Sequence, residues 1–248
     1  MKTQLKPILF LFAFVCNSLL GLSQNLGLSG VISFERKENM HKLFEDNDNS
    51  WSEERIKHMP KYKTDQFQLS FNTHQTLYKV VLEDENPMFQ WVRVAAANTV
   101  KIDLDNKHLS AEKTIYEGNY RIDDSIPTYQ WKMMGEFRTI AGYTCRKAST
   151  ILMDSIYVIA FYTDEIPVSS GPESFTGLPG MILGIVLPRL NMTYFATKVE
   201  TQTLPETAFE MPKSKSKKTN LSSFNTEIKK ALKDWGEYGT RVIWKANF

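Results

Sequence analysis

GPESFTGLPGMILGI, residues 171–185, decides the fold class, because it joins four glycines and two prolines to an unbroken apolar run. Pro179 presets φ for the first central position of a type II turn, and Gly180 supplies the positive φ that the second requires. Leu178, preceding a proline, is pushed toward an extended conformation, and Gly177 gives the chain freedom before the turn. The run that follows, MILGIVL, is apolar on both sides of a period-two pattern, which predicts a central strand covered on both faces. Gly184 inside it predicts a bulge or the close approach of another backbone. A phosphate cradle is a poor reading. It needs successive free N–H groups leading into a helix, whereas this loop carries two prolines and leads into a strand.

Working outward, short segments with strand periodicity recur along the chain. SGVISFERK (29–37) sets Ile32, Phe34 and Arg36 on one side, and DQFQLSFN (65–72) does the same with Phe67, Leu69 and Phe71. QTLYKVVLE (75–83), QWVRVAAA (90–97), KTIYEGNYRID (113–123), YQWKMMG (129–135), YTCRKASTIL (143–152), YVIAFYTD (157–164) and MTYFATKVET (192–201) continue the series. KTIYEGNYRID reads as two strands around Glu117 and Gly118. Strands at this spacing, joined by short turns, predict an α+β fold built on a mostly antiparallel curved sheet or half-barrel with a few covering helices. Residues 40–59 read as helix in two pieces around DNDNS, with Ser50 or Ser52 as a cap for the second. SFNTEIKKALKDWGEY (223–238) reads as a helix near the C-terminus, capped by Ser223 and apolar at Phe224, Ile228, Leu232 and Trp235. TRVIWKANF (240–248) reads as a last strand.

The first residues, MKTQLKPILFLFAFVCNSLLGLSQ, have two lysines before an apolar run, then Gly21 and Ser23 before Gln24. That is the layout of a cleaved secretory signal over residues 1–23, cut between Ser23 and Gln24, followed by a single domain over 24–248. The expected location is therefore periplasmic or secreted. Removing Lys2 and Lys6 leaves 28 basic against 28 acidic side chains, a balance that does not favour nucleic-acid binding. No later apolar run is long enough to cross a bilayer. Cys16 leaves with the signal, so Cys145 stands alone, without an intramolecular disulfide or a cysteine-based metal site.

The stretch YTDEIPVSSGPESFTGLPGMILGI resembles the signature of the GLPGLI family, the porphyromonad-type secreted proteins of Bacteroidota, with Met181 where leucine is usual. IAGYTCRKAST (140–150) resembles that family's Gly-Tyr-x-Cys-x-Lys-Ala element, so the likeness spans residues 140–187. It implies an exported envelope protein and carries no established activity. The same IAGYTC strand, followed by an aromatic strand, is similar to lipoprotein-carrier (LolA-like) half-barrels, which implies a concave face that holds acyl chains or protein segments.

Catalytic and metal motifs are absent from the pattern. His41, His58, His74 and His108 never pair at helical spacing, and there is no HExxH. DNDNSWSEERIK fails as a calcium loop, because Trp51 stands at the glycine position and Lys57 at the bidentate glutamate. VSSGP lacks the spacing of a nucleophile elbow. Asp164 and Glu165 are adjacent, so on a strand they point apart. Cys145 reads as a buried small hydrophobe rather than a reactive thiol. The lysines at 213, 215, 217 and 218, with those of the C-terminal helix, fit an anionic membrane or an acidic partner, but read first as a solvated loop and helix face.

These observations predict no catalytic residues, no metal and no cofactor. The expected function is a non-catalytic binding or carrier module for an apolar ligand or an envelope protein segment, held in a partly unfilled concavity. An alternative is an interaction subunit docking through the Gly171–Gly180 loop, with Phe175 and Leu178 exposed; a hydrolase assembled from distant residues is a further one. The candidate binding residues are Gly171, Pro172, Phe175, Gly177, Leu178, Pro179, Gly180 and Met181, with the aromatics Tyr143 and Trp131.

Overall fold

The structure, a computed structural model, describes residues 28–45, 53–92, 97–153 and 155–248. Residues 1–23, expected to be a signal segment, the DNDNS break with Ser50 and Ser52, and part of QWVRVAAA therefore lie outside the described residues. The described part of QWVRVAAA is not a strand: Pro87–Val92 forms a 3-10 helix, opened by Pro87, which starts a helix well and lacks the N–H a sheet would need.

Twelve described strands form one curved sheet. They are β1 (Gly30–Asn39), β2 (Tyr62–Phe71), β3 (Gln75–Leu82), β4 (Thr99–Asp103), β5 (His108–Ile115), β6 (Gly118–Ser125), β7 (Lys132–Ile140), β8 (Tyr143–Leu152), β9 (Ile156–Thr163), β10 (Met181–Leu187), β11 (Met192–Thr201) and β12 (Lys217–Thr219). The order across the sheet is β12-β6-β5-β4-β3-β2-β1-β11-β10-β9-β8-β7, so two meanders flank β1. Every pairing is antiparallel except β12 with β6, which makes the sheet mixed. Four helices accompany it: α1 (Met40–Glu45), α2 (Glu53–His58), α3 (Leu221–Ala231) and α4 (Gly236–Ala246). The sheet does not close into a barrel, and the fold is α+β as the strand spacing predicts.

The connections force the curvature. In the strand order β6 and β7 stand ten spacings apart, roughly 48 Å on a flat sheet. Only residues 126–131 join them, a reach of at most about 25 Å. The sheet must bend until its two wings approach, and this short strap, carrying Tyr129 and Trp131, crosses between them.

The inner face of the bend is filled by the chain itself. Ile32, Phe34, Phe67, Leu69, Tyr78, Val100 and Ile102 pack with Phe224, Ile228 and Leu232 and with Val242 and Ala246 of α4. A second cluster joins Val158, Ala160, Ile182, Ile185, Leu187 and Tyr194 to Phe175, Leu178 and Phe248. β10 bridges the two, with Met181 and Leu183 in the first and Ile182, Ile185 and Leu187 in the second, so it is covered on both faces as its composition predicts. The register slips between Ile182 and Gly184 against β9, which is the predicted bulge. A Cβ on Gly184 would stand 2.7 Å from the Phe195 ring.

The C-terminal segment departs from the sequence reading. The helix over 223–238 is two helices broken at Leu232–Trp235, with Gly236 at φ +58°. The cap is Asn220, whose side chain accepts from the Ser223 N–H at 2.8 Å, so the helix begins at Leu221 and Ser223 is inside it. Residues 240–246 are helix rather than strand. Val242 and Ala246 recur four residues apart on the buried side, and Gly239 lets α4 approach α3, where a Cβ would meet the Leu232 carbonyl oxygen at 2.7 Å. Helical spacing on the packed side outweighs the β-branched residues.

Candidate functional site

The loop between β9 and β10 folds onto the inner face of the sheet. Met181 donates its N–H to Ile166 O at 2.9 Å and Ile182 donates to Ser170 O at 2.8 Å, so the start of the loop runs beside β10. Because the Met181 N–H is committed there, the expected type II turn does not close. Gly180 donates instead to Leu178 O at 2.8 Å, a three-residue turn about Pro179. Gly180 is needed for a different reason than turn type: a Cβ there would stand 2.0 Å from the Thr163 carbonyl oxygen.

Among the ten residues singled out from the sequence, Gly171, Pro172, Phe175, Leu178, Gly180 and Met181 are buried, whereas Gly177 and Pro179 reach solvent. Phe175 is 0% and Leu178 1% exposed, which overturns docking through this loop. Phe175 stacks on Phe248 at 5.7 Å and meets Tyr129 in a tilted contact at 5.5 Å. Trp131 belongs to the same assembly, donating Nε1–H to Thr176 O at 2.8 Å. Tyr143 does not, since it packs against the other cluster. The expected open concavity is not found here either: loop, strap and C-terminal helices occupy this face.

Beneath the loop lies a buried charge network that the sequence reading missed. β1 and β2 pair Phe34 with Phe67, Arg36 with Asp65 and Glu38 with Lys63, so the apolar stripe of each strand continues into charged residues in the same phase. Arg36 donates to Asp65 Oδ2 through Nη2 at 2.8 Å and Nε at 3.2 Å, and Lys63 donates to Asp65 Oδ1. The Asp84 N–H adds a bond to Oδ1 at 2.9 Å. From the loop comes Glu173, held in a left-handed backbone at φ +54°. It accepts from Asn98 Nδ2 at 3.0 Å and from Tyr194 Oη at 3.5 Å, with Arg36 Nη1 at 3.9 Å. Lys245 pairs with Glu38, and Lys113 donates to the carbonyl oxygens of Ala246, at 3.0 Å, and of Phe248. The missed signal was legible in ISFERKE and KTDQFQLSF, where charges sit in register with the apolar side.

Electrostatics follow from this packing. Burial opposes charge on Asp65, yet Arg36 and Lys63 outweigh it and hold its carboxyl below the ordinary range. Burial likewise opposes charge on Arg36, and Tyr194, Asp65 and Glu173 together hold its guanidinium above its ordinary value. Burial lowers Lys113 to about 8, with Glu173 partly opposing. Burial and the neighbouring Glu173 push the Tyr78 hydroxyl well up. Tyr78 Oη and Asn98 Oδ1 are buried without a hydrogen-bond partner among the described residues. The carboxylates of Asp65, Glu38 and Glu173 are each committed to hydrogen-bonded or charged partners.

A cleft of about 520 Å³ opens elsewhere, on the opposite face of the sheet at the β10–β11 turn. Val186, Pro188 and Phe195 give it an apolar lining, backed by the buried Leu187 and Met192, and Tyr62, Lys37 and Lys42 stand at its rim. Its volume is within the roughly 300–1,000 Å³ of small-molecule sites.

The remaining candidates resolve as structural groups. Cys145 is fully buried, and burial with Glu165 nearby raises its thiol to about 11. Arg146 points away from it to Asp164 at 3.1 Å. His41 bonds the Met59 carbonyl and His74 bonds Asp105, far from one another in sequence. Among the described residues no three His, Cys, Asp or Glu side chains gather closely enough to share a metal ion. No described helix is long and apolar enough to cross a membrane.

Comparison with known proteins adds a family match and a fold. Residues 152–184, which run from the end of β8 through the glycine-rich loop into β10, match the model of a family described as a protein of unknown function (Porph_ging). No curated protein matches the chain by sequence. Among solved structures, PNGF-II in its P21 crystals is similar with a TM-score of 0.51 and 15% identity, over 80% of this chain and 32% of that one. PNGF-II in its C2 crystals gives 0.52 and 16%, over 88% and 33%. The chain thus spans about a third of the length of these neighbours, and at such identity the likeness is one of fold alone.

Proposed function

We propose that this chain is an exported, non-catalytic binding module that takes an apolar ligand in the cleft beside β1, β10 and β11. The cleft itself carries the reading: an apolar lining of Val186, Pro188 and Phe195, backed by Leu187 and Met192, of ligand-sized volume and left unfilled by the described residues. The site differs from the concavity that the carrier resemblance suggests, because Phe175, Phe224 and their neighbours already occupy that face. Export rests on the N-terminal pattern over residues 1–23, and sequencing the mature N-terminus should read from Gln24.

Native mass spectrometry of the protein purified gently from its own envelope tests the ligand. The expected result is an added mass, released on mild activation, that disappears in Thr193→Trp. Thr193 is half-buried on the cleft wall, so a bulky ring there fills the space without entering either core. Protein that carries no added mass, or an added mass unchanged by Thr193→Trp, would rule out this site.

A further inference from the structure

Residues 211–235 carry seven lysines against Glu227 and Asp234, in a chain whose 30 basic and 28 acidic side chains otherwise nearly balance. Lys213, Lys215, Lys217, Lys218, Lys229, Lys230 and Lys233 are all exposed. The fold gathers them. β12 runs directly into α3 through the Asn220 cap, and Lys217 reaches across to Glu227 at 2.6 Å, so strand and helix share one surface. On α3 the buried side chains are Phe224 and Ile228, followed by Leu232. At 100° per residue, Lys229 and Lys230 fall on the opposite arc, which they share with Ser222 and Thr226 and no carboxylate, and Lys233 follows in the turn after Ala231, 3.8 Å from Asp234.

Beside this arc is an exposed aromatic cluster. Trp235 is 48% and Tyr116 40% exposed, although large aromatic rings are usually covered. Their rings are 5.2 Å apart, Tyr238 stacks on Trp235 at 6.1 Å, and Tyr116 Oη donates to Tyr238 Oη at 3.4 Å. Tyr116 holds its place at the β5–β6 turn with a left-handed backbone, φ +54°, a conformation that is strained for a bulky side chain. A lysine arc bordered by half-exposed Trp and Tyr is the combination a bilayer interface selects. The ammonium groups meet lipid phosphates, and the amphipathic rings sit at headgroup depth. An acidic protein would match the lysines but would give no role to the exposed rings.

We infer that the β12–α3 surface, with Trp235 and Tyr116 at its edge, docks this protein peripherally on an anionic bilayer. The site is on the other side of the sheet from the apolar cleft and does not depend on it. Cosedimentation of the mature protein with vesicles tests it, using phosphatidylcholine alone and phosphatidylcholine with phosphatidylglycerol. Binding is expected only to the anionic vesicles and should weaken steeply with salt. The triple variant Lys229→Gln/Lys230→Gln/Lys233→Gln should bind about 100-fold more weakly, at about fivefold per lysine. Trp235→Ala should also weaken binding. A control with Lys79→Gln/Lys107→Gln/Lys198→Gln removes the same charge elsewhere and should bind as the parent does. All these residues except Trp235 are exposed lysines, so unchanged circular dichroism and melting should accompany the losses. No binding to anionic vesicles, equal loss in the control, or binding to soluble polyglutamate without vesicle binding would each overturn the inference.

Discussion

Replacing Phe175 with alanine asks whether the glycine-rich loop is part of the core. The ring is 0% exposed, between Phe248 at 5.7 Å and Tyr129 at 5.5 Å. Its transfer from water contributes about 2–3 kcal/mol. The space it leaves, roughly 90 Å³ before relaxation, adds about 2 kcal/mol at 24 cal/mol per Å³. Relaxation of the neighbours returns part of this, so the expected loss is about 4 kcal/mol, inside the 3–5 kcal/mol typical of buried Phe→Ala. In urea, with a slope of about 2.5 kcal/mol per molar, the midpoint should fall by roughly 1.6 M. Phe175→Leu keeps most of the volume and should lose less than about 1.5 kcal/mol. A midpoint for Phe175→Ala within about 0.4 M of the parent, with unchanged slope, would refute the claim that this loop is a packed plug.

Three further substitutions probe other parts of the argument. Gly180→Ala puts a methyl group against the backbone of Thr163, where nothing flexible can yield, so the expected outcome is loss of soluble folded protein; recovery of protein with near-parent melting would refute the contact. Asp65→Asn leaves Arg36 and Lys63 buried around a neutral amide and should cost about 3–5 kcal/mol in denaturant, so a change below about 1 kcal/mol would contradict the network. Lys113 titrates near 8 in the folded chain and near 10.5 when unfolded. Between those values the unfolded state holds more protons, so this residue makes stability rise with pH, by at most about 3 kcal/mol. The difference between the parent and Lys113→Met, followed by denaturant titration from pH 7 to 10.5, should show that rise in the parent alone; parallel curves would refute the depressed Lys113.

Much of the sheet was legible from alternation, because Phe67, Leu69 and Phe71, or Ile32 and Phe34, declare a buried side by period alone. MILGIVL declared two covered faces, and Gly184 its bulge. Period puts Arg36 in phase with Ile32 and Phe34, but it cannot report which opposite charge stands across from it. Arg36 and Asp65 look like solvated strand ends until β1 and β2 are set in register. Nor can composition tell a recognition loop from a plug, since both want glycine, proline and an aromatic. The difference is made by Tyr129 and Phe248, which are 46 and 73 residues from Phe175 in sequence and reach it only when the sheet bends. Helix α4 was misread because Val242, Ile243 and Trp244 favour strands locally, while its packing on α3 through Gly239 is a tertiary fact.

The position of β1 has a consequence for the order of assembly. Residues 30–39 are made early and find β2 at once, but their other neighbour is β11, so Gly30 waits for Thr201. Until the second meander arrives, the growing chain presents a long unsatisfied strand edge and an inner face lacking its loop and both C-terminal helices. Such a topology is rich in distant contacts and should close slowly, as a seam sewn last down the middle of the sheet. A half-made chain of this kind is a template for aggregation. The protein should therefore depend on a holding chaperone during synthesis, and the window of that dependence should end when residues 192–201 become available.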